Sequence, residues 1–504
     1  MCGIVGIWGN VDQSKVQGMI DALRHRGPDG NGMHVQLNQG VLGHIRLAIM
    51  DPDHGQQPIN NEDHSATLVA NGMIYNHPQL RKQLVEAHNF CSHSDSETIL
   101  HLFEEHGLST PQFLDGMFAF AISEGDRLVL ARDRIGIKPL YYGHQQSEDG
   151  TETMYFASEL KALTPLTENI KEFPPGTLYD SNSGFHTYYE VPDHVPLELD
   201  LEVHTREVRE TIETAVKKRL LSDVPLGAFL SGGLDSSIIA AVAKKYMPEL
   251  HTFSVGNEGS RDLEAARRVA HHIGSIHHEY IYTATEVIEA LPEIIYHLES
   301  FDQDLVRSAI PTWFAARLAA DNVKVILTGE GADELFAGYT YHKDIIDDET
   351  LHKELRRSIT RLHNINLQRV DRMTMRHAIE ARVPFLDTEV IAMAQTVPVR
   401  FKLQTQDDGR RIEKWILRKA FEDLLPTDIT WRNKEQFDEG SGMVDLLPEV
   451  LKRTASGIDT EAYKSRFATD RLRSNEECFY HSLLMEQFEH PQEVLANVGR
   501  WELD

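Results

Sequence analysis

The 504-residue chain has only three cysteines, Cys2, Cys91 and Cys478. They are far apart and odd in number, which argues against both a disulfide framework and a CxxC metal site. No apolar run approaches the length of a membrane span, and the start lacks a basic stretch followed by a long apolar one. No membrane partner is therefore expected, and the chain reads as cytoplasmic. Positive charge is also scarce. Fifty Lys and Arg against 78 Asp and Glu leave a net charge of −28, which argues against a nucleic-acid partner held on a basic surface. Tandem repeats and low-complexity tracts are missing. The length exceeds what one hydrophobic core supports, so two domains are expected.

The chain begins Met1-Cys2-Gly3-Ile4-Val5-Gly6-Ile7. Removal of Met1 would leave Cys2 with a thiol and a free α-amine on adjacent carbons. A typical α-amine titrates near ~7.8 and a free thiol near ~8.5, so the amine can act as base for the thiol at neutral pH. A buried cysteine in an apolar first strand is the plain alternative, since free Cys is a common core residue.

Residues up to about Glu190 read as short strands and turns with a few helices. Apolar runs from Val41 to Met50, Ala66 to Val69 and Met117 to Ile122 are bounded by Gly, Asn and Asp turns, with helices near Pro78 to Ala87 and Ser96 to Glu105. A Pro- and acid-containing stretch from Val191 to Leu201 reads as a linker. Beyond it, strands are expected at Pro225 to Leu230, His251 to Val255, Glu279 to Tyr282 and Val323 to Thr328, with helices between them. That alternation implies a doubly wound parallel sheet. From about Leu351 the pattern is helical, with loops near Gln404 to Arg410 and Asn433 to Gly442.

The sharpest internal motif is Leu230-Ser231-Gly232-Gly233-Leu234-Asp235-Ser236-Ser237. A strand enters a glycine turn that opens into a helix, an arrangement that presents backbone N–H groups, hydroxyls and a helix N-terminus to phosphate. The lysine of GxxxxGK[ST] and the GxGxxG pattern are both missing here, which disfavours kinase-type and dinucleotide sites. Asp235 beside phosphates calls for a cation between them, and magnesium is the natural one. A second glycine-rich turn, Thr328-Gly329-Glu330-Gly331-Ala332-Asp333-Glu334, places three carboxylates at the end of a strand, where they could hold metal or orient a substrate. The pairs His271-His272 and His277-His278 straddle Gly274, which should end a helix, so they are not expected to converge on a metal.

Ser231 to Ser236 resembles the pyrophosphate loop of ATP pyrophosphatases. Together with Thr328 to Glu334, Glu380-Ala381-Arg382-Val383-Pro384-Phe385-Leu386-Asp387 and Arg432-Asn433-Lys434-Glu435-Gln436-Phe437, it is similar to the glutamine-hydrolysing asparagine synthetase family. The first half carries that family's other segments in order: Met1 to Ile4, Arg24-His25-Arg26-Gly27-Pro28-Asp29, Arg46 to Met50, Asn71-Gly72, Ser94-Asp95 and Asp115 to Phe120. The resemblance implies an α+β N-terminal-nucleophile αββα sandwich, a glutaminase domain over 1–190. An α/β doubly wound parallel sheet of the ATP-pyrophosphatase type with a helical C-terminal part would follow, a synthetase domain over 200–504.

The resemblance also implies roles. Cys2 would attack the glutamine amide, with Asn71 and the Gly72 N–H stabilising the oxyanion. Arg46 would hold the substrate carboxylate and Asp95 its ammonium, in a pocket shared with Leu47, Ala48, Ile49, Met50 and Met73. Met73 departs from the family, which usually has Glu there, and this leaves Asp95 as the main counter-charge. Phe229, Leu230, Val255, Thr328 and Gly329 would surround the adenosine of ATP. Ser231, Gly233, Asp235 and Ser236 would hold pyrophosphate and magnesium, with Asp333 as a second magnesium ligand. Lys434 would neutralise phosphoryl charge and Glu330 would serve the aspartyl-AMP chemistry. The small-molecule partners implied are glutamine, aspartate and ATP, and a homodimer is the candidate assembly. Two other readings stay open on sequence alone: an amidotransferase acting on a different carboxylate, and an idle regulatory or scaffold homologue.

Overall fold

The computed structural model describes residues 2–86, 88–146, 150 and 152–501. The first half holds two six-stranded antiparallel sheets. The strand Gly3–Trp8 pairs with Gly40–Arg46 on one side and Glu152–Ala157 on the other, at the centre of its sheet. It is buried throughout because both faces are covered. Ile4 and Trp8 point to the second sheet, where they meet Val69, Ala119, Ala121 and Leu130. Val5 and Ile7 point the other way, onto Val16 and Ile20 of the helix Gln13–Ala22. The second sheet repeats this alternation. In the strand Gly116–Glu124, Ala119 and Ala121 face the first sheet, while Phe118 and Phe120 pack on Leu100 and Phe103 of the helix Glu97–His106. Period-two alternation with apolar residues on both faces therefore gives helix, sheet, sheet, helix.

The run expected at Ala66 to Val69 extends to Ile74. The extension carries Asn71, Gly72 and Met73. Gly72 is required there, because a Cβ would lie 2.1 Å from the Met117 carbonyl oxygen of the neighbouring strand. The helix expected from Pro78 to Ala87 is shorter, His77–Gln83; Leu84 takes an extended ψ of 131°, and Ala87 lies outside the described residues.

Residues 190–200 have no regular structure, and the helix Leu201–Lys218 follows. The second half is built on five parallel strands in the spatial order Ile276–Ile281, His251–Gly256, Leu226–Phe229, Val325–Leu327, Glu380–Arg382. The chain steps outward from Leu226–Phe229 in one direction, then returns to place Val325–Leu327 on its other side. The adjacent carboxyl ends of these two strands form the switch point where doubly wound sheets bind ligands. The edge strand Glu380–Arg382 corrects the helical expectation beyond Leu351, and the small hairpin of Gln404–Thr405 and Arg411–Ile412 flanks the loop expected near Gln404 to Arg410. Three residues are too few for periodicity to register. Gly274 does end the helix Arg261–Ile273 in the left-handed conformation. No helix among the described residues is long and apolar enough to cross a membrane.

Phe156 is fully buried in the inter-sheet core, and its ring fills the space left by Gly6. Phe156→Ala should cost about 3–5 kcal/mol, read as a urea transition of the first half moved to lower denaturant. An unchanged midpoint would contradict this packing.

Candidate active sites

The first site lies where the strands Gly3–Trp8 and Ala66–Ile74 meet the loop after Arg46. A small cavity of about 30 Å³ is lined by Cys2, Arg46, Leu47, Ile49, Met50, Gly72, Met73, Ser94 and Asp95, among others. Ala48 is not among its walls; its N–H donates to Asp29 Oδ2 at 2.8 Å. The Cys2 backbone nitrogen donates to Asn71 Oδ1 at 3.1 Å. Because that nitrogen donates, the Asn71 oxygen must face it and the amide Nδ2 must turn away. Nδ2 is buried and has no hydrogen-bond partner. A buried donor without an acceptor costs free energy unless something else supplies one, and a developing oxyanion would do so. The Cys2 thiol lies 3.9 Å from the Leu47 carbonyl. Burial pushes its pKa up, so the thiol needs a base to become a nucleophile.

Arg46 and Asp95 are both buried. The Arg46 guanidinium donates to the carbonyls of Asp51 at 2.7 Å and Pro52 at 2.8 Å, which orient it without neutralising it. Asp95 accepts from the Ile74 N–H at 2.8 Å. Burial raises its pKa to about 6. One cavity thus carries a buried cation and a buried anion that are not paired with each other. A zwitterionic α-amino acid, with a carboxylate for Arg46 and an ammonium for Asp95, complements both. Met73 belongs to the apolar cluster and brings no charge. Glu380 closes the cavity from the other half of the chain, held by Arg382 Nε at 2.6 Å. Its motif was visible in the sequence, but its reach to Cys2 was not.

The second site is a cleft of about 500 Å³ at the switch point. Its walls include Phe229, Leu230, Ser231, Gly233, Asp235, Ser236, Val255, Thr328, Gly329, Glu330, Asp333 and Lys434. The glycine turn runs into the helix Leu234–Tyr246. Gly232 has φ +75°, and a Cβ there would lie 2.5 Å from Ala265 and Ala266. Ser231 Oγ and Ser236 Oγ are 3.0 Å apart and brace the loop. Gly329 lets the acidic turn approach the helix start, since its Cβ would be 2.9 Å from Asp235 Cβ.

Charge in the cleft is organised by Lys414, which the sequence reading missed. Its ammonium is 2.5 Å from Asp235 Oδ2 and 2.6 Å from Asp333 Oδ1. Lys414 is also left-handed, with φ +54°, a strained backbone of the kind retained at functional sites. Nothing local to its sequence marks it out. Lys434 takes the other Asp333 oxygen at 2.9 Å. Asp333 thus lies in ion pairs with both lysines. The other Asp235 oxygen, Oδ1, is buried and unpartnered, which suits a hard cation. Glu330 pairs with Arg369 at 2.5 Å. Burial raises its pKa despite Arg369, and Asp333 adds to the rise. Glu334 lines the same cleft and is hydrogen-bonded by Tyr339 and Asn366, and burial raises its pKa to about 7.

Comparison with known proteins finds a family match for each half of the chain. Residues 1–189 match the model of a glutamine amidotransferase domain, and residues 207–347 and 344–503 match that of asparagine synthase. The class is thus a glutamine amidotransferase domain joined to an asparagine synthase domain. Glutamine-hydrolyzing asparagine synthetase 2 of Arabidopsis thaliana is 40% identical over 514 residues, covering 97% of this chain and 87% of that protein. A probable asparagine synthetase of Schizosaccharomyces pombe is 38% identical over 543 residues, covering 99% and 96%. The chain belongs to the glutamine-hydrolysing asparagine synthetase family.

Asp95 supplies a pH test. Its carboxylate is lost as pH falls through about 6, and with it the counter-charge for a substrate ammonium. KM for glutamine should therefore rise below pH 6, and Asp95→Asn should show a raised KM with that pH dependence removed. A KM profile of the variant that still breaks at the same pH would assign the effect to another group.

Proposed function

We propose that the chain makes asparagine from aspartate, using ATP and ammonia drawn from glutamine. The observation that carries the first half-reaction is the unpaired Arg46 and Asp95 beside Cys2 and the unpartnered Asn71 amide. With Met1 removed, the Cys2 α-amine takes the thiol proton while its N–H still donates to Asn71. The sulfur adds to the side-chain carbonyl of glutamine, and the oxyanion meets Asn71 Nδ2 and the Gly72 N–H. The tetrahedral intermediate collapses to a thioester and ammonia leaves with the returned proton. Water then cleaves the thioester to glutamate.

The cleft at the switch point supports the second half-reaction. The 231–237 loop suits the pyrophosphate of ATP, and Phe229, Leu230, Val255, Thr328 and Gly329 its adenosine. Aspartate's β-carboxylate would attack the α-phosphorus, pyrophosphate would leave, and ammonia would then displace AMP from the β-aspartyl adenylate. Magnesium, held by Asp235, supplies charge neutralisation between carboxylates and triphosphate. Lys414 and Lys434 stand ready to exchange Asp333 for phosphoryl oxygens. Glu330 is fixed by Arg369, and its raised pKa suits a group that takes a proton from the attacking nitrogen.

A single buried apolar cluster runs from Leu47, Ile49 and Met73 beside Cys2, through Met117, Ile135 and Ile137, to Leu230, Leu234 and Leu327 at the cleft. Such a lining supports passage of ammonia in its neutral form, since water would protonate it. We assign glutamine hydrolysis to residues 1–190 and synthesis to 200–504. Free cysteines and the lack of any disulfide among the described residues fit a cytoplasmic setting.

The test uses purified full-length protein with glutamine, ATP, magnesium and aspartate. Asparagine, AMP, pyrophosphate and glutamate should form together, and Cys2→Ala should abolish glutamine use while ammonia-supported synthesis persists. AMP formation that ignores aspartate but responds to another carboxylic acid would assign a different acceptor.

A further inference from the structure

Away from both sites, Glu62, His88, His101 and Glu104 converge on one point of the glutaminase half. Their donor atoms all lie within 4.8 Å of one another. Glu62 lies in the turn after the strand Ile59–Asn60, and His88 in the segment following the helix His77–Gln83. His101 and Glu104 sit three residues apart on the helix Glu97–His106. We propose that these four side chains form a binding site for a divalent cation of the zinc type.

Both imidazoles turn Nδ1 inward. His88 Nδ1 is 3.5 Å from Glu62 Oε1 and 3.5 Å from Glu104 Oε2. His101 Nδ1 is 2.7 Å from Glu104 Oε2 and 3.9 Å from Glu62 Oε2. Separations of 3.5 Å are too long for good hydrogen bonds. They lie close to the edges of about 3.3–3.4 Å between ligands that share a metal at about 2.0–2.1 Å, while His101 Nδ1 and Glu104 Oε2 share a hydrogen bond at 2.7 Å that an ion would replace. Two neutral imidazoles and two carboxylates offset a 2+ ion. The nitrogen donors select zinc, cobalt or nickel over magnesium or calcium.

Neighbouring groups hold His88, Glu62 and Glu104 in the way metal ligands are usually held. His88 Nε2 meets Glu105 Oε1 at 3.3 Å, and His101 Nε2 faces Glu97 Oε1 at 3.7 Å. The Asn89 N–H donates to Glu62 Oε1 at 2.7 Å, and Asn61 Nδ2 donates to Glu104 Oε1 at 2.9 Å. His101 is buried and His88 half-buried, whereas the two carboxylates keep an edge toward solvent by which an ion can enter. The ring centroids lie 4.6 Å apart and the planes are tilted by 36°. His88 and His101 bracket the segment that delivers Ser94 and Asp95 to the glutamine cavity. A bound ion would staple both ends of that segment.

The experiment strips the full chain with a chelator, returns zinc, removes excess by gel filtration and measures metal by mass spectrometry. One zinc per chain should remain, cobalt in its place should give the visible absorption of a tetrahedral site, and the thermal midpoint should rise. Glu62→Gln and the pair His88→Ala with Glu104→Gln should each lose the zinc, the cobalt band and the thermal gain, while glutaminase turnover at saturating glutamine shows that they fold. A stripped wild-type chain that retains no zinc overturns the proposal, as does zinc retention unchanged in the folded variants.

Discussion

The two active sites are held in register by charge buried between the halves of the chain. Arg26, fully buried, donates through Nε to the Cys2 carbonyl at 3.0 Å and through Nη1 to Asp371 Oδ2 at 2.8 Å and Glu159 Oε1 at 2.5 Å. Asp371 belongs to the helix Asn366–Arg376 of the second half. The next residue, Arg372, reaches Glu299 at 3.0 Å and the Ser158 carbonyl at 3.1 Å. Lys161 of the first half joins Glu159 to Glu299. Burial opposes the Asp371 charge, yet Arg26 and Lys138 hold its carboxyl below the usual range. Ion pairs this deep add little net stability over apolar packing, but losing one partner is costly, at about 3–5 kcal/mol. They tolerate few other arrangements of the two halves, and register is what they fix.

That constraint reaches both chemistries. The helix carrying Asp371 and Arg372 also carries Arg369, which holds Glu330 in the nucleotide cleft. Contacts thus run from the Cys2 carbonyl through Arg26 and Asp371 along one helix to Arg369 and Glu330. Glu380 adds a second crossing, because a strand of the synthetase sheet closes the cavity around Cys2. Between them lies the apolar cluster from Met73 to Leu230. Buried charge thus flanks the apolar packing that joins the two halves.

What the sequence disclosed follows from locality. Cys2, the 231–237 loop and the 328–334 turn are short segments whose chemistry is carried by neighbouring residues, and their strand–turn–helix setting is found as expected. The alternation of strands and helices implied the parallel sheet, whereas the sandwich was implied by the family resemblance. Lys414, Arg369 and Glu380 escaped because each meets its partners only across the fold: Lys414 is 179 residues from Asp235 in the chain. The two lysines that pair with Asp333 were hidden for the same reason. The His88 and His101 pairing escaped too, the two being separated in sequence by an irregular segment without metal-ligand spacing.

The most direct measurement of the central claim is the asparagine formed per glutamate released, with glutamine as the nitrogen source and ATP and aspartate saturating. Asp371→Asn keeps the shape of the side chain and removes its charge. The account predicts that this variant makes less asparagine per glutamate than the wild type, while ammonia-supported synthesis is retained as proof of a folded synthetase half. An unchanged yield per glutamate in the folded variant would contradict the role of the buried bridge in joining the two sites.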